Sequence, residues 1–359
     1  MLGEEVVWVK SETLRDFMFD VFKSVGVPEG DAQTCSDVLI AADKQGIDSH
    51  GISRLKPIYI DRILAGQQSP VTIFEVIRER PTTAVVDGHR GMGMVVAKKA
   101  MRMAIQKAKK LGMGMVAVRN STHFGIAGYY AQMAVDEGLI GIIGTNARPS
   151  IPPTFGTENM LGTNPLTFGM PNDEPFPFML DCATSIIQRG KVEVLARNGK
   201  KVQEGLVIDN NGEYMTDPNE ILQGLTKGKA ALLPIGGLYE TGGYKGYGYA
   251  TVVEILSASL QGGAFLKALT GTNLGHFFIA IDITAFTELD DFKKITGEIL
   301  RGLRASRKMP GYDRIYTAGE KEYLTYLERE KKGIPINKSL QKELKQLKED
   351  CSLKSYLPF

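Results

Sequence analysis

Hydrophobic positions fall at helical spacing almost from the start of the chain. In SETLRDFMFDVFKSVG, residues Leu14, Phe17, Met18, Val21 and Phe22 share one face, which predicts an amphipathic helix capped by Ser11 and stopped at Gly26. A second helix is expected from Asp31, as its cap, to Gly46, where the chain emerges directly into IDSHGISR. A third is expected over about Ile58 to Ala65, and the β-branched run from Pro81 to Asp87 reads as a strand. A fourth helix follows Gly93, closes at Gly112 and feeds the strand GMVAVRN. From there to about Thr284 the pattern becomes short apolar runs punctuated by glycine: LIGIIGTN, LTFGMP, FPFMLD, LVIDNNG, ALLPIGG and FFIAIDI. Such runs predict a large sheet with a few helices, one of them over Gly246 to Leu260. After Leu289 the chain turns helical and charged, and its Lys/Glu-rich end reads as a solvated amphipathic helix.

Charge and cysteine usage then exclude whole classes. The 359 residues carry 43 Lys+Arg against 41 Asp+Glu, a net +2, and no basic block interleaved with aromatics, so the footprint of a nucleic-acid binder is missing and a small-molecule partner is expected. Cys35, Cys182 and Cys351 lie far apart without a CxxC pair or a histidine at ligand spacing, which indicates no metal site and fits a reducing cytoplasm. The opening MLGEEVVWVKSE is too acidic for a secretory signal. The most apolar stretch, Val252 to Leu269, is broken by Glu254, Gln261, Gly262 and Gly263, short of the roughly 20 residues a bilayer needs.

The abundant glycines invite a dinucleotide-fold reading, but no candidate has the strand, turn and helix that the fingerprint requires. GMGMVV and GMGMVA lack the third glycine, and GYKGYG follows a poor strand. The four histidines are more informative. His50 sits in a glycine-flanked turn with Arg54 four residues on, a pair that suits an organic acid because arginine grips a carboxylate bidentately while histidine donates beside it. His50 as a simple loop cap stays open at this point, and so does a hydrolase dyad with Ser49, although consecutive side chains usually diverge. His123, in NSTHFG after a strand, is placed to move a proton on a substrate oxygen. His89 and His276 read as structural. GTNP (with Thr163) and DCATS (Asp181 to Ser185) are tight turns able to cradle a phosphate or hold an amide ring, and Lys245 in GGYKGYG could neutralise a phosphate.

Taken in order, SHGISR, NSTHFG, GTNP, DCATS, GGYKGYG, GHFF and RKMPG resemble the malate/L-lactate dehydrogenase family, which is unrelated to the Rossmann-type lactate and malate dehydrogenases and also contains sulfolactate, ureidoglycolate and diketogulonate-type oxidoreductases and a cyclic imine reductase. The likeness runs from the first helix to about Gly311. It implies a non-Rossmann α/β fold with a large mixed, mostly antiparallel sheet over residues 81–287, and a helical unit from residues 1–80 plus 288–359. It implies a homodimer that transfers a hydride between NAD or NADP and C2 of a 2-hydroxy or 2-oxo acid, with malate/oxaloacetate or lactate/pyruvate foremost and another 2-oxo acid or a cyclic imine as the alternative. By position His123 matches the acid/base residue, His50 and Arg54 the carboxylate grip, and Ser49 a polar neighbour. Asp181, Cys182 and Ala183 match the cofactor segment, with Cys182 where the family pattern has methionine. Asn146, Thr163, Ser185, Lys245, Arg304, Pro310 and Gly311 are the further expected cofactor residues. Arg189, Lys191, Arg304, Arg307 and Lys308 supply positive charge suited to a 2′-phosphate.

Overall fold

The computed structural model describes residues 6–197, 199–353 and 357–359; the first five residues of the acidic N-terminal segment lie outside them. The chain begins with β1 (Val6–Val9), α1 (Ser11–Ser24) and α2 (Glu29–Lys44). The apolar stripe of α1 is fully buried, as its periodicity predicts. Both helix starts differ from the expectation. Ser11 is already helical and Lys10 stands at the cap, while Asp31 lies inside the first turn of a helix entered from Pro28. Proline pre-sets the backbone angle for a helix entry, which displaces the cap upstream. In place of one helix over 58–65, a π-helical turn over Leu55–Ile60 leads into the short α3 (Asp61–Leu64). A π turn carries an extra residue per turn and rotates the side chains that follow.

Next come β2 (Glu75–Glu79), β3 (Thr83–Asp87), α4 (Gly93–Leu111), β4 (Met113–Ser121), α5 (Gly128–Asp136), β5 (Leu139–Thr145), β6 (Leu166–Met170) and β7 (Phe178–Cys182). After α6 (Arg189–Arg197), β8 (Val207–Asp209), α7 (Pro218–Lys227) and β9 (Ala230–Leu232) the chain forms α8 (Gly243–Ala258), β10 (Leu274–Asp282) and α9 (Leu289–Ala305). It closes with α10 (Glu320–Lys332), β11 (Ile334–Asn337) and α11 (Lys338–Asp350).

The main sheet has seven strands in the order β2-β3-β4-β10-β5-β6-β7, and only the β3–β4 pair is parallel. It is the large, mixed, mostly antiparallel sheet that the resemblance implied. Val116, Val118, Ile143 and Phe278 point from it into a core under α4 and α5, while α8 crosses the other face, close enough that a Cβ on Gly275 would strike the Ser257 carbonyl.

Three further expectations are corrected. LVIDNNG and ALLPIGG do not join the large sheet; β8 and β9 pair with each other over a small core of their own with Val192 and Ile221 from α6 and α7. Strands of three residues are too short to extend a seven-stranded sheet, and the chain between them is occupied by α7. The charged tail is also more than a solvated helix. It holds β11, which pairs with β1, and α11 buries Leu344 and Leu347 against α1 and α2. The helix expected from Gly246 starts one turn earlier, at Gly243.

Candidate active site

The loop between α2 and the π turn is built around a buried carboxyl group. Asp43, at the end of α2, accepts a hydrogen bond from the Ile52 backbone N–H at 2.8 Å. A Cβ on Gly51 would lie 1.8 Å from an Asp43 carboxylate oxygen, so no other residue fits there. Burial pushes the Asp43 carboxyl up to about 8. Pinned in this way, the loop presents Ser49, His50 and Arg54 together. Arg54 Nε donates to the Ser49 carbonyl, and Ser49 Oγ lies 2.9 Å from His50 Nδ1. The expected divergence of Ser49 and His50 is therefore corrected: the bend after Asp48 folds the short serine back onto the neighbouring ring.

His123 comes from the far end of β4, yet its ring stacks on that of His50, with centroids 5.7 Å apart and planes at 21°. Its Nδ1 is held by the Tyr59 hydroxyl at 2.6 Å and approached by the Gly125 N–H at 3.3 Å. In both rings Nδ1 is occupied and Nε2 makes no hydrogen bond among the described residues. Burial and the neighbouring Arg54 lower His50 to about 4, and burial, His50, Arg54 and Arg62 hold His123 well below the ordinary histidine range. Both rings are therefore neutral at pH 7. No carboxylate is among the groups that shift them, so the pocket is cationic. Arg54 has no ion-pair partner among the described residues. Arg62 donates to the Gly271 carbonyl at 3.0 Å, and a Cβ on Gly271 would lie 3.5 Å from both the Arg62 and Arg148 guanidinium groups.

Sequence reasoning missed Tyr59, Arg62 and Arg148. Tyr59 sits in an ordinary-looking apolar run, and only the π turn together with the approach of β4 brings its hydroxyl to His123. The residues read as structural are so placed: His276 is fully buried with Nδ1 2.7 Å from Thr145 Oγ1, and His89 pairs with Glu75 at 2.6 Å.

The expected cofactor residues fall into three groups. GTNP, DCATS and the start of α8 form one continuous surface. Thr184 donates to the Thr163 and Asn164 carbonyls, Asn164 donates to Glu254 on α8 at 2.9 Å, and Ser185 bridges to Pro234. A Cβ on Gly246 would lie 2.3 Å from the Ile235 carbonyl, so the chain just after Pro234, Ser185's bridge partner, rests directly on the first turn of α8. Ser185 Oγ is buried without a partner, Lys245 is exposed at that helix start, and the segment after DCATS reaches Gly190, where a Cβ would lie 3.3 Å from Ser49. An unpartnered hydroxyl, a lysine and a helix N-terminus in one surface leading to the substrate loop fit a phosphate-bearing cofactor. In the second group, the side chains are spent within the fold. Asp181 accepts from the Gly128 N–H at 2.7 Å and from Thr167 at 2.8 Å, and Asn146 brackets Gly275 and Ala264. Cys182 is half-buried and Ala183 buried, so these two present backbone. In the third, Arg304 on α9 is paired with Glu174 at 2.6 Å, and Pro310 and Gly311 lie in an exposed turn beyond it.

Two stacked histidines beside an arginine unpaired among the described residues, on a mixed sheet without a Rossmann turn, form an arrangement chemically able to move a proton on an anionic acid. The chain belongs to the malate/L-lactate dehydrogenase family, whose model matches residues 9–345, and it is a 2-hydroxy acid dehydrogenase. It is 44% identical over 359 residues to a malate dehydrogenase of Pyrococcus abyssi, covering 98% of this chain and 97% of that protein. To an L-sulfolactate dehydrogenase of Methanocaldococcus jannaschii it is 39% identical, covering 96% and 97% of the two chains. The crystal structure of malate dehydrogenase from Entamoeba histolytica superposes with a TM-score of 0.96 at 47% identity, over 99% of this chain and 100% of that one. Membership implies a nicotinamide cofactor and a small hydroxy or oxo acid as substrate. Among the described residues no helix is long and apolar enough to cross a membrane.

Proposed function

We propose that this enzyme interconverts malate and oxaloacetate, with His123 as the acid/base group, His50 and Arg54 as the grip on the C1 carboxylate, and Arg62 with Arg148 facing the second carboxylate. The observation that carries this reading is the His50–His123 stack beside an unpaired Arg54, with two further guanidinium groups converging at Gly271. A monocarboxylate such as lactate leaves that second pair of cations unanswered. A nicotinamide cofactor held by the DCATS turn and the start of α8 would supply the hydride acceptor and donor for C2. In oxidation neutral His123 takes the hydroxyl proton through Nε2, while Tyr59 fixes the ring through Nδ1. In reduction the bound dianion raises the histidine toward its charged form, and the imidazolium donates to the developing alkoxide. Arg54 fixes the acid so that C2 keeps one orientation.

In this reading Ser185, Lys245 and the start of α8 would hold the phosphates of a cofactor bound at the DCATS surface. NADP is accepted at least as well as NAD, because Lys191, Arg307 and Lys308 are exposed and carry no ion pair among the described residues, whereas Arg189 and Arg304 are engaged by Glu193 and Glu174. A homodimer is supported by apolar surface left open on the sheet face that α8 covers only in part: Ile142, Ile279 and Phe168 are half-exposed there. Ile295, Ile299 and Leu303 stand outward along α9. The two-part division, residues 1–80 plus 288–359 against 81–287, is supported in outline by the core that α1, α2, β11 and α11 share, but β2 pairs with β3 and moves the first boundary to before Glu75. A cytoplasmic setting fits three free cysteines.

The test compares malate, lactate and sulfolactate with each cofactor by nicotinamide absorbance, together with Arg54→Lys. Malate is expected to exceed lactate at least tenfold in kcat/KM, and loss of the planar fork to raise KM for malate. Equal use of lactate would remove the dicarboxylate assignment. An unchanged KM in Arg54→Lys would remove the grip, and light scattering giving a monomer with full activity would remove the dimer.

A further inference from the structure

Arg329 lies in a helix the sequence presents as solvated, yet only 5% of it is exposed. Its fork reaches across the chain to the substrate loop. Nη1 donates to the Asp43 carbonyl and to Asp48 Oδ1, and Nη2 donates to Asp48 Oδ2 at 3.0 Å. Two more contacts from the same face of α10 flank it. Glu330 pairs with Lys44 at 2.7 Å, and the Thr325 methyl sits where a Cβ on Gly46 would be 2.8 Å away. One end of α10 thus holds both ends of the bend that delivers Ser49 and His50.

Asp48 directly precedes Ser49 and His50 and is six residues before Arg54. A carboxylate left free in this loop would have a guanidinium of its own loop as a partner, and Arg54 could not then meet a substrate. The bidentate fork of Arg329 occupies both Asp48 oxygens. Arginine is the residue that can do this while its third face bonds a backbone carbonyl, because its five N–H groups lie in one plane. We propose that Arg329 is a positioning residue for substrate binding: by sequestering Asp48 it keeps Arg54 unpaired and fixes the loop that carries His50. The proposal rests on the reading of Arg54 as the carboxylate grip.

The experiment compares Arg329→Gln with the double variant Arg329→Gln/Asp48→Asn. Arg329→Gln is expected to raise KM for the 2-hydroxy acid at least tenfold and to weaken the Kd of malonate, a non-reacting dicarboxylate, by a similar factor in calorimetry. Its kcat should fall by less than about threefold and its affinity for the reduced cofactor should not change, since the Arg329 fork bonds Asp43 and Asp48 and neither His123 nor the DCATS turn. Removing the competing carboxylate in the double variant is expected to recover most of the lost malonate affinity, an effect that a merely structural arginine cannot give. A wild-type KM in Arg329→Gln, or a double variant no better than the single one, overturns the proposal. Should Arg329→Gln not fold, the same comparison is made with Arg329→Lys, which keeps the charge and loses the fork. If Arg54→Lys itself leaves malonate affinity unchanged, the grip assignment has failed; if it weakens binding while Arg329→Gln does not, only the role of Arg329 has.

Discussion

Tyr59→Phe isolates the orientation of His123 from its chemistry. The tyrosine is fully buried and its hydroxyl lies 2.6 Å from His123 Nδ1, so the substitution removes one oxygen and leaves the ring packing against Phe22 intact. Burial holds the Tyr59 phenol well above its ordinary range, so it stays protonated throughout any assay and acts only through this hydrogen bond. Without it, Nδ1 keeps a single weak donor, the Gly125 N–H at 3.3 Å. A buried polar atom deprived of its partner costs about 1–3 kcal/mol, and the remaining contact places the effect in the lower half of that range. If the cost falls on the proton-transfer step, kcat drops about tenfold at about 1.4 kcal/mol. KM for malate should stay within about twofold, because Arg54 is untouched. Steady-state kinetics in the oxidation direction, with thermal melting as a control for folding, measures both. A kcat within twofold of wild type, or a loss carried entirely by KM, would refute the claim that Tyr59 sets the His123 ring.

Three further outcomes follow from the same geometry. His123→Asn should lower kcat by about 10² to 10⁴, while His50→Asn acts mainly on KM; the reverse pattern in steady-state kinetics would exchange the two histidines. Gly51→Ala puts a methyl 1.8 Å from the pinned Asp43 carboxylate, so a loss of about 1–3 kcal/mol in urea unfolding is expected together with a raised KM, and an unperturbed variant would mean that the loop is free to move. With Asp43 at about 8 when folded and about 4 when unfolded, the native state holds a proton that the unfolded chain releases, so this group's contribution to stability falls as pH climbs through that window. Asp43→Asn removes that slope, and its stability relative to wild type should rise between about pH 5 and about pH 8, under a ceiling of about 5 kcal/mol; a difference that does not change with pH contradicts the buried carboxyl.

The sequence by itself determined the elements whose signal is local. The apolar stripe of α1, the glycine that ends α4, the β-branched and glycine-rich strands and the exclusion of a Rossmann turn all depend on residues within one or two turns of each other. It also marked His50, Arg54 and His123, because histidines in polar, glycine-containing turns are a local signal, although His89 in DGHRG carries the same signal and is spent on Glu75. The site's assembly was decided by tertiary structure. Nothing in KPIYIDR tells that a π turn will aim Tyr59 at a histidine 64 residues away, and nothing in the charged stretch around Arg329 tells that its fork will be buried against Asp48, 281 residues distant. Hydrogen bonds and ion pairs of this kind have no sequence periodicity. They depend on which surfaces the sheet order and the pairing of β1 with β11 bring within about 3 Å, a distance that only the folded chain sets.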